Sequence, residues 1–389
     1  MNIGKAFAAA LTLVAVGGAS GGCDRPVEAA NPVPMGCPSA VGSAPLTVVA
    51  GGRAGNPEPA ADEVVRQVSA ATEAEHHIAV VTVEGRPRIV FDDTFKFQAN
   101  NQAARREEYR RFARTSIDAY MRARAVTPEA DLLNALDLAG RGTPDGGTIM
   151  VMDSGLQTVA PLDFRQQGML AADSADVVAS LKGRLPDLRG VQVIFTGLGD
   201  TAAPQGPLQP QQRRNLTELW LGVAKAAGAT CARAADRPRT GSPLGGVPPV
   251  TPVEVPAAEQ IRLCGTTRLL DGGTVGFEAG RSVFRDPTAA QKTVGAMAEK
   301  LAGGTQPVRV IGTTASADTP AARRELSLAR AAAVRDLLVG GGVSRDRINI
   351  VGAGATRPDR LDDRGPDGAL LPGPAALNRS VIIEVTCRG

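Results

Sequence analysis

The sequence predicts an α/β protein built from two globular parts. Short apolar runs alternate with helical patterns along most of the chain, which is the signature of strands alternating with helices. A stretch rich in proline and glycine, "RPRTGSPLGGVPPVTPVEVP" (237–256), supports neither helix nor strand and reads as extended and flexible. It lies in a linker, 233–261, between a first part at 45–232 and a second at 262–389.

The first part opens with "LTVVA" (46–50), a buried strand, and "ADEVVRQVSAATEA" follows as a helix with Val64, Val65, Val68 and Ala71 on one side. "HHIAVVTVEGRPRIVF" reads as two strands around a turn at Glu84 to Pro87. A long charged helix over 101–124 carries its apolar residues, Tyr109, Phe112, Ala113, Ile117, Tyr120 and Met121, as one stripe. "GTIMVMDSGL" and "VQVIFTGLGD" are two more buried strands, each followed by helix, the last helix burying Leu216, Leu219, Trp220 and Val223. Strands apolar on both faces imply a mostly parallel sheet covered on both sides.

Composition removes several function classes. A net charge of +3 spread evenly over 389 residues gives no footprint for nucleic acid. Aromatics at 3% supply neither the girdles of an outer-membrane barrel nor stacking platforms for single strands. Among the cysteines there is no C-x-x-C pair, and nothing calls for a metal or another cofactor.

The N-terminus reads as an export signal over 1–23: Lys5, then the apolar run "AFAAALTLVAVGGA", then "SGGC". It resembles a bacterial lipobox, with Ser20 where a larger aliphatic residue is usual, and the resemblance implies lipidation of Cys23 and a membrane held through that lipid. Residues 24–44 follow as a tether. With Cys23 lipidated, four of the five cysteines remain: Cys37 and Cys231 bracket the first part, and Cys264 and Cys387 the second. Those two pairings are expected as disulfides, although four cysteines allow three connectivities.

The early hairpin and "MDSG" at a later strand end make the first part similar to a von Willebrand factor A domain. That family's metal site needs D-x-S-x-S after the first strand, since a hard cation takes several oxygen ligands. Here the position reads "AGGRAGN" (50–56) and Asp153 stands alone, so no metal site is expected. Asp153, Ser154, Asp200 and Thr201 read as caps and turn formers, and the adjacent His76 and His77 as solvated residues. No G-x-S-x-G and no phosphate loop occurs, so an enzyme is not expected.

The second part reads as a strand at Thr274 to Phe277, a helix at 288–302, a strand at Val308 to Gly312, a helix at 321–340, a strand at Ile348 to Gly352, and a last strand "SVIIEVT". The segments "TVGFEAGRSVFRD", "VRVIGTT", "ELSLARAAAVRDLLVGGGVSRDRINIVGAGATRP" and "LNRSVIIEV" together resemble the OmpA-like, peptidoglycan-associating domain, an α+β fold. In that family a loop aspartate and the arginine of LS-x-x-RA hold the ammonium and carboxylate at one end of diaminopimelate in wall stem peptides.

The arginine carries over as Arg330, whereas the family's G-H-T-D is "GTTA" here, with Thr314 beside Ala315 in place of the acid. Arg323 replaces the asparagine usual before LS, and the family's N-R-R has become Asn378, Arg379 and Ser380. Asp318, three residues past Ala315, is open to two readings, a substitute acid or a turn residue before Pro320. Arg330 likewise reads as a ligand clamp or as an arginine on an exposed helix face. "LDDRGPDGALLPGPAA" (361–376) is an insertion near where the family pocket opens.

The resemblances together imply a lipid-anchored protein of the bacterial cell envelope. Peptidoglycan would meet the second part at Arg330, Asp318, Thr314, Asn378 and Arg379, and an unidentified envelope protein would meet the first. The alternative is an interaction scaffold whose OmpA-like domain has lost wall binding.

Overall fold

A computed structural model describes Cys37 and residues 43–235, 238–257 and 260–387. The signal and lipidation readings, Cys23 included, lie outside the described residues.

The first sheet is formed by β1 (Leu46–Ala50), β2 (His77–Thr82), β3 (Ile89–Thr94), β4 (Thr148–Met152), β7 (Gln192–Thr196) and β8 (Cys231–Ala234), in the order β3-β2-β1-β4-β7-β8. All neighbours are parallel except β2 and β3, the expected hairpin. A two-stranded ribbon, β5 (Thr158–Val159) and β6 (Leu162–Asp163), stands apart from it. Helices α1 (Ala61–Glu73) and α2 (Gln102–Arg122) cover one face, burying Val64, Val68 and Tyr120 against Leu46, Val48 and Ala50 of β1. On the other face α3 (Leu132–Gly142), α4 (Ser174–Ser180) and α5 (Pro210–Ala226) bury Leu136, Val177 and Trp220 against Val49, Val151 and Phe195. Successive strand residues point to opposite faces, so both apolar sets of each strand find a helical layer. The periodic reading did not single out α3 or β8. Asp131 starts α3 by accepting the Asn134 amide, and β8 is only four residues long.

The linker differs from its reading. It is extended, as its prolines require, but bound: Val250 and Val253 are buried. The Gln205 side chain pairs with both the amide and the carbonyl of Val253, at 2.7 and 2.9 Å. Buried Arg239 donates to the carbonyls of Pro57 and Glu58. An extended chain carries unpaired backbone groups, and a neighbouring amide side chain can satisfy two of them at once.

The second sheet has four strands in the order β11-β10-β12-β9, from β9 (Gly265–Leu270), β10 (Val308–Gly312), β11 (Ile348–Gly352) and β12 (Ser380–Val385). Only β10 and β11 are parallel. Helices α6 (Pro287–Leu301) and α7 (Pro320–Gly340) pack Val294, Met297, Val334 and Leu338 onto it, and α8 (Pro372–Asn378) begins within the insertion and runs two residues past it. The opening strand is β9 and not 274–277. In "GTTRLL" Thr267 and Leu269 turn inward while Thr266 and Arg268 turn out. Beyond it the Asp271 carboxylate accepts the Phe277 amide at 2.7 Å, and Phe277 stacks on Phe284 in a turn.

Two disulfides, Cys37–Cys231 and Cys264–Cys387, join residues whose Cα atoms are 5.4 and 5.6 Å apart, the expected pairing. The two sheets' layers meet tightly. Asn215 of α5 donates to the carbonyls of Leu170 and Gly272. At Gly168, in left-handed backbone (φ +86°), a Cβ would come within 2.3 Å of the Gly373 carbonyl, so only glycine allows this approach. No helix among the described residues is long and apolar enough to cross a membrane.

Candidate ligand-binding site

The loop between β10 and α7 places the residues singled out by sequence. Thr319 caps α7, whose third turn carries Arg330 inward, only 4% exposed. Arg330 does not lie on an exposed helix face. Its guanidinium sits 5.0 Å over the Phe277 ring, and it donates to the carbonyls of Arg281 (2.9 Å) and Glu278 (3.3 Å). Asp271 faces it at 3.6 Å. Burial pulls the guanidinium pKa below its ordinary value, and the Asp271 carboxylate acts in the opposite sense.

Beside Arg330 a cavity of about 170 Å³ opens, smaller than a drug-sized pocket and suited to one polar end of a ligand. Asp271, Asp318, Arg323 and Arg379 line it from the C-terminal domain, with Thr314 and Ala315 at its floor. Thr314 is 5% exposed and its hydroxyl has no hydrogen-bond partner among the described residues. The buried Arg323 Nε is unpartnered in the same sense. Asp318 is exposed and adopts left-handed backbone (φ +61°), so it is a turn residue and a lining residue at once.

The cavity has a wall that sequence reasoning missed. Asp173, Ala175 and Asp176, at the start of α4 in the N-terminal part, complete the lining. Asp176 pairs with Arg379 at 2.5 Å. Burial penalises the Arg379 charge, but Asp176 more than offsets this and holds its pKa up. The Asp173 Oδ1 atom caps α4 by accepting the Ala175 amide, and its other oxygen accepts no hydrogen bond from the described residues.

Asn378 is not brought to the cavity. Its side chain pairs with the amide and carbonyl of Leu361, both at 2.9 Å, and donates to Asp363. Asp363 is fully buried and also accepts the Ser316 amide (2.9 Å) and Arg360 (2.8 Å). Burial opposes its charge, but the bonds from Ser316, Asn378 and Arg360 prevail and hold its pKa below the usual carboxylate value. Through Asp363 the insertion braces the 314–316 loop from behind.

At the ends of the first sheet's strands, Asp153 forms a turn, its Oδ1 accepting the Gly155 amide at 2.7 Å, but it does not stand alone. Arg53, from "AGGRAGN", meets its carboxylate at 3.0 and 3.2 Å and also donates to Ser154 and the Leu156 carbonyl. Asn56 donates to Asp153 at 2.8 Å. Asp200 is likewise buried and paired with Arg213, while Thr201 donates to the Gly206 carbonyl. A carboxylate at 0% exposure needs such a partner. His77 is half-buried and bonds Asp92 at 2.7 Å, whereas His76 has no comparable partner among the described residues.

Residues 276–368 match the model of the OmpA family. No curated protein matches the chain. Among solved structures, the chain is similar to the periplasmic domain of Helicobacter pylori MotB, at 16% identity over 34% of this chain and 90% of that one, TM-score 0.27. It is also similar to the cell wall anchor of the T6SS from Pseudomonas aeruginosa, at 23% identity over 32% and 81%, TM-score 0.25. A third is the OmpA-like domain of FopA1 from Francisella tularensis subsp. tularensis SCHU S4, at 18% identity over 31% and 71%, TM-score 0.23. On the family match and the β9–β12 layer with α6 and α7, the C-terminal domain of this chain is OmpA-like.

Proposed function

We propose that this protein is an exported envelope lipoprotein, anchored at Cys23, that holds peptidoglycan through its OmpA-like domain and presents its N-terminal part to another envelope protein. In this reading residues 45–232 form a von Willebrand A-like binding module, 262–389 the wall-binding module, and neither is an enzyme. The supporting observation is Arg330, kept at the LS-x-x-RA position and aimed beside a cavity of mixed charge. A guanidinium with unused N–H groups suits the carboxylate of a diaminopimelate-type stem peptide, and Asp318 and Thr314 bring further oxygens to the same lining.

A second reading, a scaffold without wall binding, draws on Ala315 and on the internal carbonyls that engage Arg330. Sedimentation of the full chain with insoluble peptidoglycan separates the two. Wall binding requires that the parent pellets and Arg330→Ala stays in solution; a parent that stays in solution favours the scaffold. Cys23→Ala, in turn, should release the protein from the membrane fraction if lipid holds it there.

A further inference from the structure

The cavity beside Arg330 contains too many carboxylates from the wrong part of the chain to be a property of the OmpA-like domain alone. Its cations, Arg323, Arg330 and Arg379, all come from that domain, while two of its acids, Asp173 and Asp176, come from α4 on the N-terminal part. The close approach of Gly168 to Gly373, the Asn215 bond to Gly272 and the Asp176–Arg379 pair hold α4 against the rim. Two polar groups independent of the acids point to an occupant. Thr314 is nineteen-twentieths buried and its hydroxyl has no partner among the described residues, and the buried Arg323 Nε atom has none among them either. Buried polar groups are rarely left so, and a ligand is one way to satisfy them.

We propose that this is a composite site, completed across the two parts of the chain, in which Asp173 takes over the ammonium-binding role that Ala315 cannot perform. Its ligand carries an ammonium and a carboxylate on one carbon, the end of an amino acid. The carboxylate meets Arg330 and Arg323, the ammonium meets the free oxygen of Asp173, and Thr314 bonds whichever head group reaches the floor. Asp176 is a positioning residue: it holds Arg379 at the rim and keeps α4 in place. The identity of the ligand as a wall stem peptide rests on the function proposed above; the composite acid does not. One consequence is that ligand occupancy ties the N-terminal part to the OmpA-like domain, since each contributes one pole of the site.

The test uses the full chain and two probes, free meso-diaminopimelate by calorimetry and insoluble peptidoglycan by sedimentation, with Asp173→Asn as the variant. Asparagine keeps the cap on α4, so folding is preserved while the charge is lost. The expected result is binding of both probes by the parent and a loss of about tenfold or more in Asp173→Asn, the effect of one charge-assisted hydrogen bond. Unchanged affinity in the variant overturns the composite site and leaves wall binding standing. Tighter binding in the variant also overturns it, because α4 then acts as a plug. If free diaminopimelate binds in an Asp173-dependent way while peptidoglycan does not pellet the parent, the site stands and the wall reading falls. If neither probe binds the parent, both fall.

Discussion

Removing the Asp363 carboxylate should unfasten the loop that floors the cavity. In Asp363→Ala, three donors lose one acceptor group: the Ser316 amide, the Asn378 amide and the Arg360 guanidinium. Hydrogen bonds to a charged group are each worth about 1.5–3 kcal/mol net, but the sum overstates the loss. Asn378 keeps its bond to the Leu361 carbonyl, and Arg360, at 27% exposure, returns to water and keeps the Ser316 hydroxyl. The Ser316 amide and the second Nδ2 hydrogen of buried Asn378 are left without an acceptor, so the expected loss is about 2–4 kcal/mol in urea denaturation. Asp363→Asn, which keeps one acceptor oxygen and the volume, should lose about half as much.

The sign with pH follows from the depressed Asp363 pKa. Its contribution is complete above the unfolded value, near about 3.9, and falls away as pH drops through the lower folded value, so the parent loses this increment in acid while Asp363→Asn does not. Amide exchange at Ser316 should quicken in both variants. A loss below about 1 kcal/mol for Asp363→Ala, or unchanged exchange at Ser316, would refute the idea that this carboxylate fastens the loop.

Arg53→Met should destabilise by about 3–5 kcal/mol in thermal or denaturant unfolding, because it strands the buried Asp153 charge, and adding Asp153→Asn should recover part of the loss. For Asp176→Asn the expected loss is about 1–3 kcal/mol, given the half-buried pair with Arg379, and calorimetry should show the two parts unfolding less cooperatively. The double variant Cys264→Ser, Cys387→Ser should lose up to about 4–5 kcal/mol on the chain-entropy account of a loop this long, read as a lower denaturation midpoint.

Much of the fold was legible because hydrophobic periodicity reports burial directly. The strands at 46–50 and 192–196 and the stripe of α2 are where their apolar spacing puts them. The β9 strand was misplaced because "TVGF" is the more apolar run, whereas "GTTRLL" alternates inward threonine and leucine with outward polar residues at an edge of the sheet. The linker's packing was illegible for another reason: it depends on Gln205, far off in sequence, reaching Val253. Of the candidate site, Arg330, Thr314, Asp318 and Arg379 were found by their place in a motif, and all line or floor the cavity. Asp173, Asp176 and Asp271 carried no local signal, since a carboxylate that starts a helix or follows a strand looks like any cap or turn. Asn378 shared the motif but serves the insertion, which has no counterpart in the pattern that suggested it.

The Cys37–Cys231 bridge changes how tension would travel along the chain. A pull on the segment ahead of Cys37, opposed by a ligand seated beside Arg330, passes through sulfur to Cys231 and on into the linker, and the 194-residue loop between them is left out of the covalent path. Without the bridge that loop would pay out as slack, roughly 650 Å when fully drawn. With it, the extensible length falls to the linker and the few residues around it. Of the first sheet only β8, which begins at Cys231, then lies on the covalent line of force, and the other five strands ride beside it.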